Sequence, residues 1–142
     1  MKIVKNSCFG GFGLSIEASR EFLKRKGKQM FVYKQVKYEH SDGIEEWEKI
    51  DNVENKDMFV SILTVDLGDK FEKLKYKEGE YFMDSDIKRD DTDLIAVIEK
   101  LGSGKSSGSC ASLEIIEIPD GIEYEIDEYD GAETIREKHR SW

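Results

Sequence analysis

The run "SLEIIEIPDGIEYEID", Ser112 to Asp127, constrains the fold more than any other part of the chain. Two β-rich segments flank Pro119, Asp120 and Gly121. Proline presets the first turn dihedral, aspartate can bond its own backbone, and glycine accepts positive φ, so the tripeptide reads as a turn. Beyond it, Ile122, Tyr124 and Ile126 alternate with Glu123, Glu125 and Asp127. Successive strand side chains point to opposite faces, which sends the apolar three to a core and the acids to water. The spacing predicts an antiparallel hairpin over residues 113–127.

The remaining pattern is mixed. Lys2 to Cys8 reads as a strand. Ser15 then caps a helix in which Leu14, Ala18 and Phe22 recur at four-residue spacing, with Gly27 at the C-terminal cap. Two β-rich runs flank Ser41–Gly43 and predict a second hairpin. The apolar run Met58–Val65 reads as a strand covered on both faces. Residues 66–80 read as irregular, and "EYFMDSDI" as a weaker strand. Asp91 or Thr92 caps a helix with Leu94, Val97, Ile98 and Leu101 on one stripe, ended by Gly102. Asp130 and Glu133 have capping-box spacing, which predicts a short C-terminal helix. There is no internal repeat and no linker. The expected architecture is therefore α+β: one domain over residues 1–142, a mainly antiparallel mixed sheet of about five to six strands, and about three short helices.

With 142 residues, 38% of them apolar, the chain can bury a core without staples. Its formal charge of −9 is unevenly spread. Residues 1–38 hold nine Lys/Arg against two Asp/Glu, whereas nine carboxylates fall from Glu114 to Glu133 and no Lys or Arg lies between Lys105 and Arg136. Such a surface repels phosphate, so direct nucleic-acid binding is not expected. No apolar run approaches a membrane span, and the first residues lack a signal-peptide h-region. Cys8 and Cys110 lie far apart without CxxC spacing, which argues for reduced, buried thiols in a cytoplasm and against a disulfide or zinc framework.

Four stretches could carry chemistry. In "CFGGFGLS", the turn Gly10, Gly11, Phe12, Gly13 joins a strand to a helix N-terminus, where free N–H groups and the helix dipole can hold an anion. It does not match G-x-G-x-x-G, so a tight turn that needs positive φ stays open beside anion binding. "GSGKSS" fails as a phosphate loop, because the motif needs glycine where Glu99 stands, and a strand follows in place of a helix. The aspartates of Asp84–Asp93 could hold Mg²⁺, but helix capping and pairing with Arg89 account for most of them, and no metal ligand is assigned. "REKHRSW" ends the chain in cations and an aromatic; Lys138, His139, Arg140 and Trp142 could cradle a base and a phosphate.

"CFGGFGLS", "DIKRDDTDLIAVIEKLG" and "EIIEIPDGIEYEIDEYDG" followed by "EKHRSW" together resemble a family of small proteins encoded by bacteriophages and prophages. The likeness covers about half the chain; it implies a phage setting, hence the host cytoplasm, and supplies no catalytic signature. The expectation is a phage accessory protein without enzymatic activity or cofactor, an anti-defence factor. Gly10–Gly13, Arg89, Lys138, His139, Arg140 and Trp142 would sequester a small nucleotide signal, with homo-oligomer formation open. The alternative is an acidic nucleic-acid mimic in which Glu123, Glu125 and Asp127 block a host nuclease or DNA-binding protein. A Mg²⁺-dependent enzyme acting on phosphate esters comes third.

Overall fold

The computed structural model describes residues 1–51, 60–77 and 79–138. Its elements are β1 (Lys2–Asn6), α1 (Ile16–Arg25), β2 (Phe31–Glu39), β3 (Ile44–Ile50), β4 (Val60–Leu63) and β5 (Lys70–Phe71), then a 3₁₀ turn (Asp84–Asp86), α2 (Thr92–Ser106), β6 (Leu113–Glu117), β7 (Tyr124–Tyr129) and β8 (Ala132–Glu137). Every strand pairing among the described residues is antiparallel, and the fold is α+β. The chain divides into two compact units: Met1–Phe22 with the segment from Asp84 onward, and Leu23–Met83. No helix among the described residues is long and apolar enough to cross a membrane, a statement that leaves β-barrels unaddressed.

In the first unit, β1 pairs with β6, Lys2 opposite Glu117 through Asn6 opposite Leu113. Ile3, Val4, Leu14, Ala18, Phe22, Leu94, Val97, Ile98 and Leu113 are buried there. The two helices start where their caps dictate. Ser15 Oγ accepts from Ala18 N at 3.0 Å, and Asp91 Oδ1 accepts from Asp93 N at 2.8 Å and Leu94 N at 3.1 Å. At the end of α1, Lys28 N bonds Leu23 O and Gly27 N bonds Lys24 O, the paired bonds of a Schellman motif. Gly102, non-helical at ψ 163°, interrupts α2 where the apolar stripe ends.

Four expectations are corrected here. β6 does not form a hairpin with β7; its partner is β1, and β7 pairs with β8. The Pro119–Gly121 turn is present, but the strand entering it is already held by the first strand of the chain. The segment after Asp130 is a strand and not a helix: Asp130 (φ 50°) and Gly131 (φ 88°) form a two-residue turn of the kind that matches the twist of antiparallel strands. Ile122, Tyr124 and Ile126 are half-buried, since a two-stranded ribbon covers its face only in part. The sheet itself is divided: eight strands in three sheets, with two α-helices, among the described residues.

The second unit is a four-stranded sheet in the order β4-β2-β3-β5. The hairpin expected around Ser41–Gly43 is β2–β3, with Glu39 opposite Ile44 and a bulge between Gln35 and Lys37. Met58 and Phe59 lie outside the described residues. The remainder of the apolar run is the edge strand β4, with Ser61 and Leu63 buried and Val60 and Ile62 half-buried, so the expected two-sided cover is not found. "EYFMDSDI" yields a single ladder contact, Tyr81 with Leu63, and the 3₁₀ turn. Tyr33, Trp47 and Leu63 form the core, with Phe71 edge-on to Tyr33 at 5.0 Å between ring centroids.

The Tyr33 hydroxyl accepts from Leu67 N at 2.7 Å and lies 3.4 Å from Asp66 Oδ1. Burial pushes its phenol above the ordinary value, and the donor from Leu67 opposes this. Tyr33→Phe removes the acceptor and leaves the Leu67 N–H unpaired, which costs about 1–3 kcal/mol. The expected result is a lower urea midpoint with the far-UV spectrum unchanged; an unchanged midpoint would show that the bond contributes nothing.

Candidate functional site

The glycine turn is a backbone junction. Gly10 N donates to Asp130 O at 2.8 Å, which brings the turn against the tip of the β7–β8 ribbon. A Cβ on Gly131 would lie 2.0 Å from Gly11 N, and one on Gly10 would lie 2.8 Å from the Cys110 Cβ. Three chain segments approach so closely that side chains are excluded, and Gly10 (φ 117°) and Gly11 (φ 100°) hold left-handed backbone. Three of the donors along the turn, those of Gly10, Leu14 and Ser15, have protein acceptors. Leu14 N donates to Asp84 Oδ2 at 2.9 Å, and Ser15 N to Ser106 O at 2.8 Å. A carboxylate thus stands where the sequence invited a phosphate.

Beneath the turn lies a polar network of which Arg89 alone stood out in the sequence. Its guanidinium sits 3.6 Å from the centroid of the Phe12 ring and pairs with Glu133. Both side chains are largely buried, 13% and 5% exposed. Glu133 Oε1 also accepts from Asn6 N at 2.8 Å. Asn6, fully buried, spends its amide entirely on backbone: Nδ2 donates to Gly131 O (2.7 Å) and Cys8 O (2.8 Å), and Oδ1 accepts from Ser112 N (2.9 Å) and Cys8 N (3.3 Å). Every lone pair and proton of that amide has a partner. The network locks the ribbon tip onto the end of the β1–β6 pair. Burial raises the nearby Tyr124 phenol, helped by Asp90 and opposed by Arg89.

Of the sequence-predicted ligand residues, the structure brings together Gly10, Gly11, Phe12, Gly13 and Arg89. Lys138 follows β8 at the end of the ribbon away from the Asp130–Gly131 turn, its N–H donating to Glu123 O at 2.9 Å. Six extended residues separate it from Gly131, roughly 20 Å or more. Lys138 therefore does not join the glycine turn within one chain. His139, Arg140 and Trp142 lie outside the described residues.

Among the expected partner-contacting acids, Glu123 is exposed and Glu125 and Asp127 are half-buried along β7. Arg136 stands opposite Glu125 and pairs with Asp127, so it offsets part of this charge. The aspartates of Asp84–Asp93 are dispersed into separate tasks: Asp84 at the α1 entry, Asp91 at the α2 cap. Among the described residues, no group of three or more His, Cys, Asp or Glu is arranged to hold a metal ion. Cys8 and Cys110, expected buried, are both exposed and free, because each belongs to the surface of the glycine junction.

Charge follows the division into units. The unit built from residues 1–22 and 84–142 carries 18 Asp/Glu against 10 Lys/Arg, a balance of −8. Leu23–Met83 carries 13 against 12 and is nearly neutral. No protein-family model, curated protein or solved structure matches the chain.

Proposed function

We propose that the protein is a non-enzymatic binding module whose acidic unit engages a basic, nucleic-acid-binding protein. The carrying observation is the segregation of charge: −8 in one unit and −1 in the other. Clustered single-sign charge steers a complementary partner and rejects like-charged ones, including nucleic acid itself. Glu123, Glu125, Asp127, Glu128 and Asp130 follow one another along β7 and its two flanks, with Glu123, Glu128 and Asp130 exposed and Glu125 and Asp127 half-buried. In the phage setting that the resembling segments imply, the partner class is a host nuclease or another DNA-binding protein, occupied by an acidic mimic in the host cytoplasm. Sequestration of a small nucleotide is the weaker proposal, because Arg89 is committed to Glu133 and a carboxylate borders the glycine turn.

The test is affinity capture from a bacterial lysate with the wild-type protein and with E123K/E125K/D127K. DNA-binding proteins retained at low salt, released above physiological salt and lost with the triple variant are the expected result. Retention by a triple variant that folds normally would overturn the mimicry reading, as would the absence of any retained DNA-binding protein.

A further inference from the structure

Two large aromatics stand in water, each next in sequence to one end of the same backbone hydrogen bond. Phe9 is 65% exposed and Tyr129 is 75% exposed. Each adjoins the Gly10–Asp130 hydrogen bond by one residue, so the backbone junction fixes both at one tip of the first unit. Neither adds to the core described above. Exposed aromatics scattered singly need no explanation, but a pair held together by a rigid backbone clasp is an anchor without a socket.

The surroundings narrow what the socket belongs to. Tyr129 lies between Glu128 and Asp130, both exposed, and the whole unit carries −8. Exposed aromatic rings on an acidic unit, one of them flanked in sequence by two carboxylates, suit a flat cation with apolar faces of its own. Arginine meets that description: its guanidinium stacks on aromatic rings, is weakly hydrated, and forks onto carboxylates, whereas lysine offers a compact, strongly hydrated point charge. The same protein already shows the pairing internally, with Arg89 between Phe12 and Glu133.

We infer that the Phe9–Tyr129 tip is the specificity element of the acidic surface and docks an arginine-rich segment of the basic partner. This rests on the reading of the acidic unit as a binding surface and adds the residue type that it selects. The clasp matters because a rigid anchor loses little conformational freedom on binding. Tyrosine is also among the residues enriched where interface energy concentrates.

Fluorescence anisotropy with labelled nona-arginine and nona-lysine tests the inference, using the full chain and its F9S/Y129S variant. Both positions are exposed, so the variant is expected to fold, which its thermal midpoint checks. The wild type should bind nona-arginine about five- to tenfold more tightly than nona-lysine. F9S/Y129S should bind both peptides at the nona-lysine level. Cys8 and Cys110 flank the tip, so nona-arginine should also slow their alkylation by a maleimide in the wild type. Equal binding of the two peptides, unchanged in F9S/Y129S, would overturn the tip and leave the acidic surface standing. Absence of binding to either peptide would overturn both. Sedimentation that shows a wild-type dimer dissolved by F9S/Y129S would assign the tip to a second copy of the chain and overturn the inference as well.

Discussion

Arg89→Ala is expected to destabilise the first unit by about 3–5 kcal/mol. Its removal strands the Glu133 carboxylate, 95% buried, without its cation. It also removes the guanidinium packed on Phe12 and leaves that ring without its partner. A buried pair is weak evidence for stability in itself, because desolvation offsets the attraction; breaking it from one side is what costs. The double variant R89M/E133Q separates these effects. It removes both charges, while the amide oxygen keeps an acceptor for Asn6 N, so much of the lost stability should return. Urea unfolding of the three proteins gives the coupling. A single variant within 1 kcal/mol of wild type, roughly the effect of an ordinary surface change, would show that the pair is open to water.

Gly131→Ala is expected to be at least as damaging. The new methyl would meet backbone on all sides that matter: Gly11 N at 2.0 Å, Gly11 Cα at 2.6 Å and the Gly10 carbonyl carbon at 2.7 Å. Backbone cannot yield as a flexible side-chain end can, and φ is 88°, where a side chain costs a further 1–2 kcal/mol or so. The ribbon tip must then leave the glycine turn, breaking the Gly10–Asp130 and Asn6–Gly131 bonds. A loss of more than about 3 kcal/mol, or roughly 10 °C in the thermal midpoint, should follow. Gly104→Ala is the control, since nothing lies within 4 Å of its Cβ and its φ is not left-handed. A midpoint for Gly131→Ala equal to that of the control would mean that the junction is loose.

How much of this was legible beforehand depends on whether the signal was local. Both helix starts were readable, because Ser15 and Asp91 cap through bonds within three residues. The hairpin at Ser41–Gly43 was readable for the same reason. The pairing of β6 was not: turn chemistry at Pro119–Gly121 fixes a change of direction, but which strand fills the hydrogen-bonding edge is decided over more than a hundred residues. The C-terminal helix was a local misreading. Asp130 and Glu133 have capping-box spacing, yet Asp130-Gly131 is equally the signature of a tight hairpin turn. The β-branched pair Thr134 and Ile135 favoured the strand.

The site divides along the same line. The glycines announced a constraint on the backbone, and the structure supplies a different cause from phosphate binding, namely the close approach of residues 110 and 131. Phe12 meeting Arg89, and Glu133 meeting Asn6, have no sequence signal, since each contact spans distant segments. The acidity was visible at once; its confinement to one unit was not, because that unit is assembled from both ends of the chain.

The central claim is that the acidic unit takes the place of nucleic acid on a basic partner. Competition measures it directly: a DNA-binding protein captured in the lysate experiment is mixed with labelled duplex DNA and increasing amounts of the wild-type chain. Mutually exclusive binding, with DNA released by wild type and retained in the presence of E123K/E125K/D127K, is the expected result. A stable ternary complex of partner, DNA and this protein would contradict it.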